Sequence, residues 1–212
     1  MNSGTLVRLP PDSDGAIAGT SGATHLNLSG DYSYMSQGYY DSLDAELQGL
    51  DVLPTTADAL DAYIVPVAME KAKLHDLGTP GYDIVTDKLP KLPVLAYAVN
   101  PFSSKFELIT EGDDIVAKLR ALTMTGKYAT ICQRLPQDYR IDVMRAILGQ
   151  SLVEEYAGLA RRVFEVFRLP LMRVRVIVST TEYLLSAIEP LPYEELTLNE
   201  KKLLAGLGAW QK

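Results

Sequence analysis

Apolar positions along the chain change their period several times, and each change marks an expected element. "THLNLS" (24–29) alternates, with Leu26 and Leu28 on one side, and predicts a short strand. The spacing then turns helical, through Tyr40, Leu43, Leu47 and Leu50. Ser36 stands where an N-cap belongs, Gly38 and Asp41 follow early in the helix, and Gly49 can end it. "LDVLP" (50–54) reads as a second short strand. The whole is a β-turn-α-β unit of about 30 residues, the size of a parallel crossover.

The next stripe, Leu60, Ile64, Val67, Leu74 and Leu77, predicts a helix starting at Thr55 or Thr56 and kinked or split at Pro66. Residues 78–93, rich in Pro and Gly, read as loop. "PVLAYAVN" (93–100) is apolar almost throughout, as in a buried central strand. Strands are expected at "KFELIT" (105–110) and "KYATICQ" (127–133). Helices are expected at 113–123, 138–149 and 151–168. "LMRVRVIVS" (171–179) is the clearest strand, and "YLLSAIEPLP" (183–192) returns from it as a hairpin. A last amphipathic helix covers 197–210. Residues 1–23, rich in Gly, Ser, Thr, Asp and Pro, are expected to form a flexible tail. The fold class is therefore α/β or α+β. A single domain over 24–212 would hold a mixed sheet, with the N-terminal β-turn-α-β unit and a C-terminal β-hairpin plus helix.

Charge narrows the partners. The formal net charge is −7, which argues against backbone-phosphate binding to nucleic acid. It is uneven: residues 1–120 hold 17 acids and 8 bases, residues 121–212 hold 10 acids and 12 bases. The basic excess includes Arg161, Arg162, Arg168, Arg173 and Arg175. Arg173 and Arg175 lie either on the wet face of a strand or along a groove for a carboxylate, a phosphate or an acidic partner. With one cysteine, Cys132, no disulfide framework forms within the chain. No leader-like or membrane-length apolar run is seen, and a cytoplasmic setting is expected.

Catalytic chemistry is sparse. His25 and His75 are the only histidines, and no G-x-S-x-G, H-E-x-x-H, Walker or G-x-G-x-x-G motif accompanies them. Cys132 sits in an apolar run and reads as core. "EGDD" (111–114) reads as the acidic start of a helix. No catalytic residue, metal ligand or cofactor is assigned to this chain. One stretch stands out: "GDYSYMSQGYYDSL" (30–43), with Tyr32, Tyr34, Tyr39 and Tyr40. It lies between a strand's carboxyl end and a helix's amino end, where open α/β sheets bind ligands. Tyrosine offers a flat apolar face and a hydroxyl with few torsions to freeze. Tyr32, Tyr34, Ser36, Gly38 and Tyr39, together with Arg173 and Arg175, are the candidate ligand or partner contacts. The plainer alternative has Tyr40 in the core, Tyr39 half-buried, and Tyr32 and Tyr34 covering the sheet end.

Three stretches together resemble a known family. They are "HLNLSGDYSYMSQGYYDSLDAELQGLDVLP" (25–54), "LARRVFEVFRLPLMRVRV" (159–176) and "YLLSAIEPLPYEELTLNEKKLL" (183–204). In order and rough spacing they are similar to the N-terminal domain that precedes RimK-like ATP-grasp ligases. Tyr183 departs from the tryptophan expected there, and residues 78–150 do not align. The resemblance implies a pre-ATP-grasp-like fold attached to an enzyme that joins a carboxylate to an amine through an acyl phosphate. ATP and Mg2+ are then expected only in an adjoining ATP-grasp domain, in cis or in trans, that follows near residue 210. A peptide or amino acid is the implied substrate, and no nucleic acid or membrane is expected as partner. On this view the chain is a non-catalytic recognition or docking domain, with a docking patch near Trp210 or near Phe164 and Phe167. The alternatives are a stand-alone small-molecule or peptide binding module, and an independent hydrolase or transferase using residues 29–40 with Asp31 as its carboxylate.

Overall fold

The computed structural model describes residues 5–7, 24–99 and 105–207. The chain forms two compact units. Unit 1 comprises residues 1–60, 144–173 and 190–212; unit 2 comprises 61–143 and 174–189.

Unit 1 begins with β1 (Thr5–Val7), which pairs antiparallel with β2 (Thr24–Leu26). β1 lies within the expected tail; the rest of that tail is outside the described residues. Helix α1 (Gln37–Leu47) then leads to β3 (Asp51–Leu53), which runs parallel to β2 in the sheet order β1-β2-β3. The crossover is the expected β-turn-α-β unit. Ser36 is its N-cap, accepting from the Tyr39 N–H, and Gly49 turns the chain out of the helix at φ +76°.

The face that α1 buries is not the expected one. Gly38, Ser42 and Ala45 pack inward, while Tyr40, Leu47 and Leu50 are exposed. Gly38 explains this. A Cβ there would sit 2.0 Å from Ser29 Oγ and 2.3 Å from the Asp31 carbonyl oxygen, so the helix approaches closely only on its small-residue side. Leu26 and Leu53 form a small core with Leu28, Leu148 and Phe164.

The chain enters unit 2 within α2 (Thr56–Tyr63), followed by α3 (Val65–Leu74). Pro66 splits the expected long helix by standing in the first turn of α3, where its missing N–H is tolerated. Alanines and Met69 form the buried face here, and Val67 and Leu74 point outward. Four antiparallel strands follow in the order β4-β7-β5-β6: β4 (Tyr82–Val85), β5 (Val94–Ala98), β6 (Phe106–Ile109) and β7 (Thr130–Arg134). β5 is central and buried along its whole length, as its apolar run predicted. β4 occupies part of the stretch read as loop. α4 (Ile115–Leu122) is capped by Asp114, and the core contains Val94, Ala96, Ile109, Leu122 and Cys132. Burial pushes the Cys132 thiol up to about 12, in keeping with a core role.

Residues 138–149, expected as helix, contain β8 (Arg140–Ile147) instead. Their Ile141, Met144 and Ile147 fit a three-residue period, but the backbone pairs with the next strand. Helix α5 (Ala157–Phe167) crosses to β9 (Leu171–Val178), which turns through residues 179–182 into β10 (Tyr183–Pro190). The order is β10-β9-β8, and the unit boundaries fall within these three strands. Back in unit 1, α6 (Leu198–Gly206) starts with a full capping box between Thr197 and Glu200. Residues beyond 207, Trp210 included, are outside the described residues.

A buried polar network in unit 2 limits how its strands can pair. The Ser186 hydroxyl donates to Gln133 Oε1, so the Tyr97 hydroxyl, 2.7 Å away, must donate to Ser186. Gln133 Nε2 donates to the Ser186 carbonyl at 2.7 Å. All three residues are buried. Replacing Ser186 with Ala would leave two buried groups short of a partner. Ser186→Ala is expected to destabilise the fold by about 2 kcal/mol, read by urea unfolding followed by circular dichroism. An unchanged midpoint would show that the network contributes nothing.

Candidate functional site

The tyrosine turn is built outward from Asn27. Its side-chain amide donates to the Gly38 carbonyl at 2.7 Å and to Ser42 Oγ at 2.9 Å. Its Oδ1 accepts from the Ser29 N–H at 3.0 Å, and its carbonyl accepts from the Tyr32 hydroxyl at 2.9 Å. Tyr32 is 1% exposed, and burial raises its hydroxyl well above the usual phenol range. It is a core residue.

Asp31 shapes the next step. Its Oδ1 accepts from the Ser33 N–H, and its carbonyl accepts from the Ser36 hydroxyl at 2.9 Å. Met35 takes a left-handed φ of +67°, a conformation that costs a non-glycine residue about 1 kcal/mol. Ser36, in turn, spends its oxygen on the Tyr39 N–H at 3.1 Å, so the helix amino end is closed by its own cap. Gly30 completes the frame. Its φ is +73°, its carbonyl accepts from the Leu191 N–H, and a Cβ would lie 1.9 Å from the Leu191 carbonyl oxygen.

This frame presents a ledge of aromatic rings. Tyr34 meets Tyr39 edge-on at 5.3 Å, and Tyr39 meets Tyr40 edge-on at 6.1 Å. Tyr34 and Tyr40 are 41% and 47% exposed, and Tyr39 is half-buried. Of the candidate contacts, Tyr34 and Tyr39 therefore reach the surface together. Ser36 and Gly38 serve the backbone geometry, and Gly38 is buried. The plainer alternative is also corrected: Tyr32 is the core tyrosine, and Tyr40, which the helical stripe placed inside, is outside.

The strand arginines do not join this ledge as free cations. Arg173, in unit 1, donates to the Pro190 carbonyl at 2.7 Å and pairs with Glu195 at 3.0 Å. Arg175 belongs to unit 2 and is buried. Both its Nε and its Nη2 donate to Glu189 Oε1, and its guanidinium lies 3.8 Å from the Phe106 ring centroid. A buried guanidinium needs such a carboxylate and a ring to offset its lost hydration. Arg161 and Arg162 are exposed on α5, as their helical spacing suggested. Sequence reasoning passed over Arg145, whose Nε lies 2.7 Å from the buried Glu200 carboxylate in an ion pair too bent for a hydrogen bond.

The remaining candidates resolve into structure. Asp114 caps α4, and the Thr110 backbone N–H, with Lys118, holds the Asp113 carboxyl below its usual range. Phe167 is buried and Phe164 half-buried, so neither forms the expected exposed patch. Among the described residues no group of three or more His, Cys, Asp or Glu side chains comes together as a metal site. Nor, among them, is any helix long and apolar enough to cross a membrane.

A parallel β-turn-α-β unit, a strand-rich second unit and a C-terminal hairpin plus helix define a mixed α/β protein, and its fold resembles those of solved ATP-grasp ligases. The solved D-alanine–D-alanine ligase from Helicobacter pylori superposes with a TM-score of 0.63 at 14% identity, over 90% of this chain and 73% of that one. A RimK domain ATP-grasp protein from Sphaerobacter thermophilus gives 0.56 at 14% identity, over 80% and 72%. The ATP-grasp ligase PsnB, solved with a minimal precursor, Mg and ADP, gives 0.53 at 11% identity, over 81% and 67%. No curated protein sequence matches. The model of the RimK-like ATP-grasp N-terminal domain matches residues 14–78 and 109–206, more than two thirds of the chain. The chain belongs to that family. The matched segments include the tyrosine turn and both elements that the Asn27 side chain joins.

The ledge and its frame should separate under mutation. Tyr32→Ala is expected to cost about 3–5 kcal/mol, as loss of a buried aromatic does. Tyr34→Ala should stay within about 0.5 kcal/mol. Chemical denaturation of the two variants checks this. Equal costs would mean that the ledge is part of the core.

Proposed function

We propose that this chain is the recognition or docking domain of a RimK-like ATP-grasp ligase, and that it grips polypeptide through the tyrosine ledge. The observation that carries the reading is the rigid turn that projects Tyr34, Tyr39 and Tyr40 at the strand–helix junction. Asn27, Asp31 and Ser36 fix its backbone before any ligand arrives, so little ordering remains to be done on binding. Edge-on, solvent-facing tyrosine rings suit extended peptide, through flat apolar contact and hydrogen bonds to main-chain groups. The family match supports the ligase context. PsnB, one of the structural neighbours, is solved with a precursor peptide, which is consistent with a peptide ligand here.

Catalysis is assigned to the adjoining ATP-grasp domain, in cis or in trans. That domain would hold ATP and magnesium ions and activate a carboxylate for attack by an amine. The donor set of this chain supports the division. Asp113 and Asp114 are committed to a helix start and to Lys118, while Asp31 holds a turn. These carboxylates do not converge as a magnesium site requires.

Isothermal calorimetry on the 212-residue chain tests the proposal, with ATP–Mg2+ in one series and a pool of short peptides in the other. Peptide heat without nucleotide heat is expected. The double variant Tyr34→Ala/Tyr39→Ala should weaken the peptide about tenfold while its unfolding midpoint stays put. Nucleotide binding would put an enzyme reading of this chain first.

A further inference from the structure

The apolar stripe of α1 is a helical face that the fold leaves uncovered. Leu47 is 79% exposed, Tyr40 lies two turns earlier on the same face, and Leu50, just past the helix, is exposed as well. Half-buried Leu43 falls between them. The inward side is fixed by Gly38, which admits no Cβ, and by the Asn27 amide, which binds the Gly38 carbonyl and Ser42. The helix therefore cannot roll its leucines inward. A residue pattern that contradicts the fold it sits in commonly marks a surface with a partner.

Charge identifies the partner's chemistry. Residues 24–60 hold six acids and no Lys or Arg. Asp41, Asp44, Glu46 and Asp51 lie on or beside α1, and their partners are neutral. Asp41 accepts from Gln37, Asp44 from Gln48, Asp51 from Thr24, and Glu46 from the N–H and hydroxyl of Thr56. Among the described residues none of these four meets a cation. Elsewhere the acids Asp61, Asp83, Glu189, Glu195 and Glu200 are each paired with Lys or Arg. The α1 region thus carries unneutralised negative charge around an apolar stripe.

We propose that this face docks a basic amphipathic helix of a partner protein, its aliphatic residues on the Tyr40–Leu47 stripe and its Lys or Arg side chains against the flanking carboxylates. The assignment rests on the reading that unit 1 docks polypeptide, and it adds the helix face and the sign of charge. Apolar contact would supply the affinity, and the carboxylates would supply on-rate and selectivity.

The test uses fluorescence anisotropy with a synthetic helix-forming peptide of about 18 residues, Leu on one face and Lys on the other. A second peptide replaces every Lys by Glu. The Lys peptide is expected to bind at least about tenfold more tightly than the Glu peptide, and to weaken severalfold between about 50 and 300 mM salt. Leu47→Glu and Asp44→Lys should each weaken it about tenfold, whereas Leu74→Ser, on α3, should leave it unchanged. Both Leu47 and Asp44 are exposed, so folding is not at stake. Equal affinity for the two peptides, indifference to Leu47→Glu, or no binding would overturn the proposal. If the calorimetric peptide binding persists in that event, only the basic-helix assignment falls. If it is absent too, the docking reading falls with it.

Discussion

Everything that the N-terminal unit presents depends on one buried amide. Asn27 uses each of its polar groups. Its N–H donates to the Leu53 carbonyl, its carbonyl receives the Tyr32 hydroxyl, Oδ1 receives the Ser29 N–H, and Nδ2 serves both Gly38 and Ser42. Strand, turn, helix and second strand are thereby joined at a single residue. A buried network of this kind is costly when incomplete and specific when complete. Here it is complete, and it leaves α1 one rotational setting. The exposed tyrosines and the exposed leucine stripe are two consequences of that setting.

Charge follows a similar logic. The basic residues concentrated after residue 120 look like a cationic surface when read along the chain. In the fold, Arg145 and Arg173 in unit 1 meet glutamates from the C-terminal segment, and Arg175 in unit 2 meets Glu189. These pairs hold α6 and the hairpin in place and take up Arg145, Arg173 and Arg175, while Arg161 and Arg162 stay exposed on α5. Among the described residues, Asp41, Asp44, Glu46 and Asp51 around α1 meet neutral partners instead. The electrostatic character of unit 1 is therefore set by which carboxylates go unpaired, more than by any count of arginines.

Much of the framework was legible in the sequence. The crossover from 24 to 54 announced itself through alternation, a serine cap, a helical period and a terminal glycine. The central strand β5 announced itself through an unbroken apolar run. The family resemblance fell on the tyrosine turn and the C-terminal hairpin, and the family match covers both. Two elements were not legible. β4 has four residues at a sheet edge, in a Pro- and Gly-rich stretch, and owes its existence to β7. β8 carries Arg, Asp, Met and Ala at positions that suit a helix equally well, and pairing overrides so weak a local preference.

The sequence by itself determined where chain direction changes and which residues can cap, turn or span a core, because those are properties of neighbours a few positions apart. The tertiary structure alone decided which side of each element faces inward. Gly38, Ser42 and Ala45 win the inner face of α1 over Tyr40, Leu43 and Leu47 because Ser29 and Asp31 leave no room for a Cβ. Tyr40 leaves the core for the same reason, whereas Tyr32 enters it with its hydroxyl on the Asn27 carbonyl. Hydrophobic burial scales with area, but close approach of backbones is a steric limit that area cannot offset.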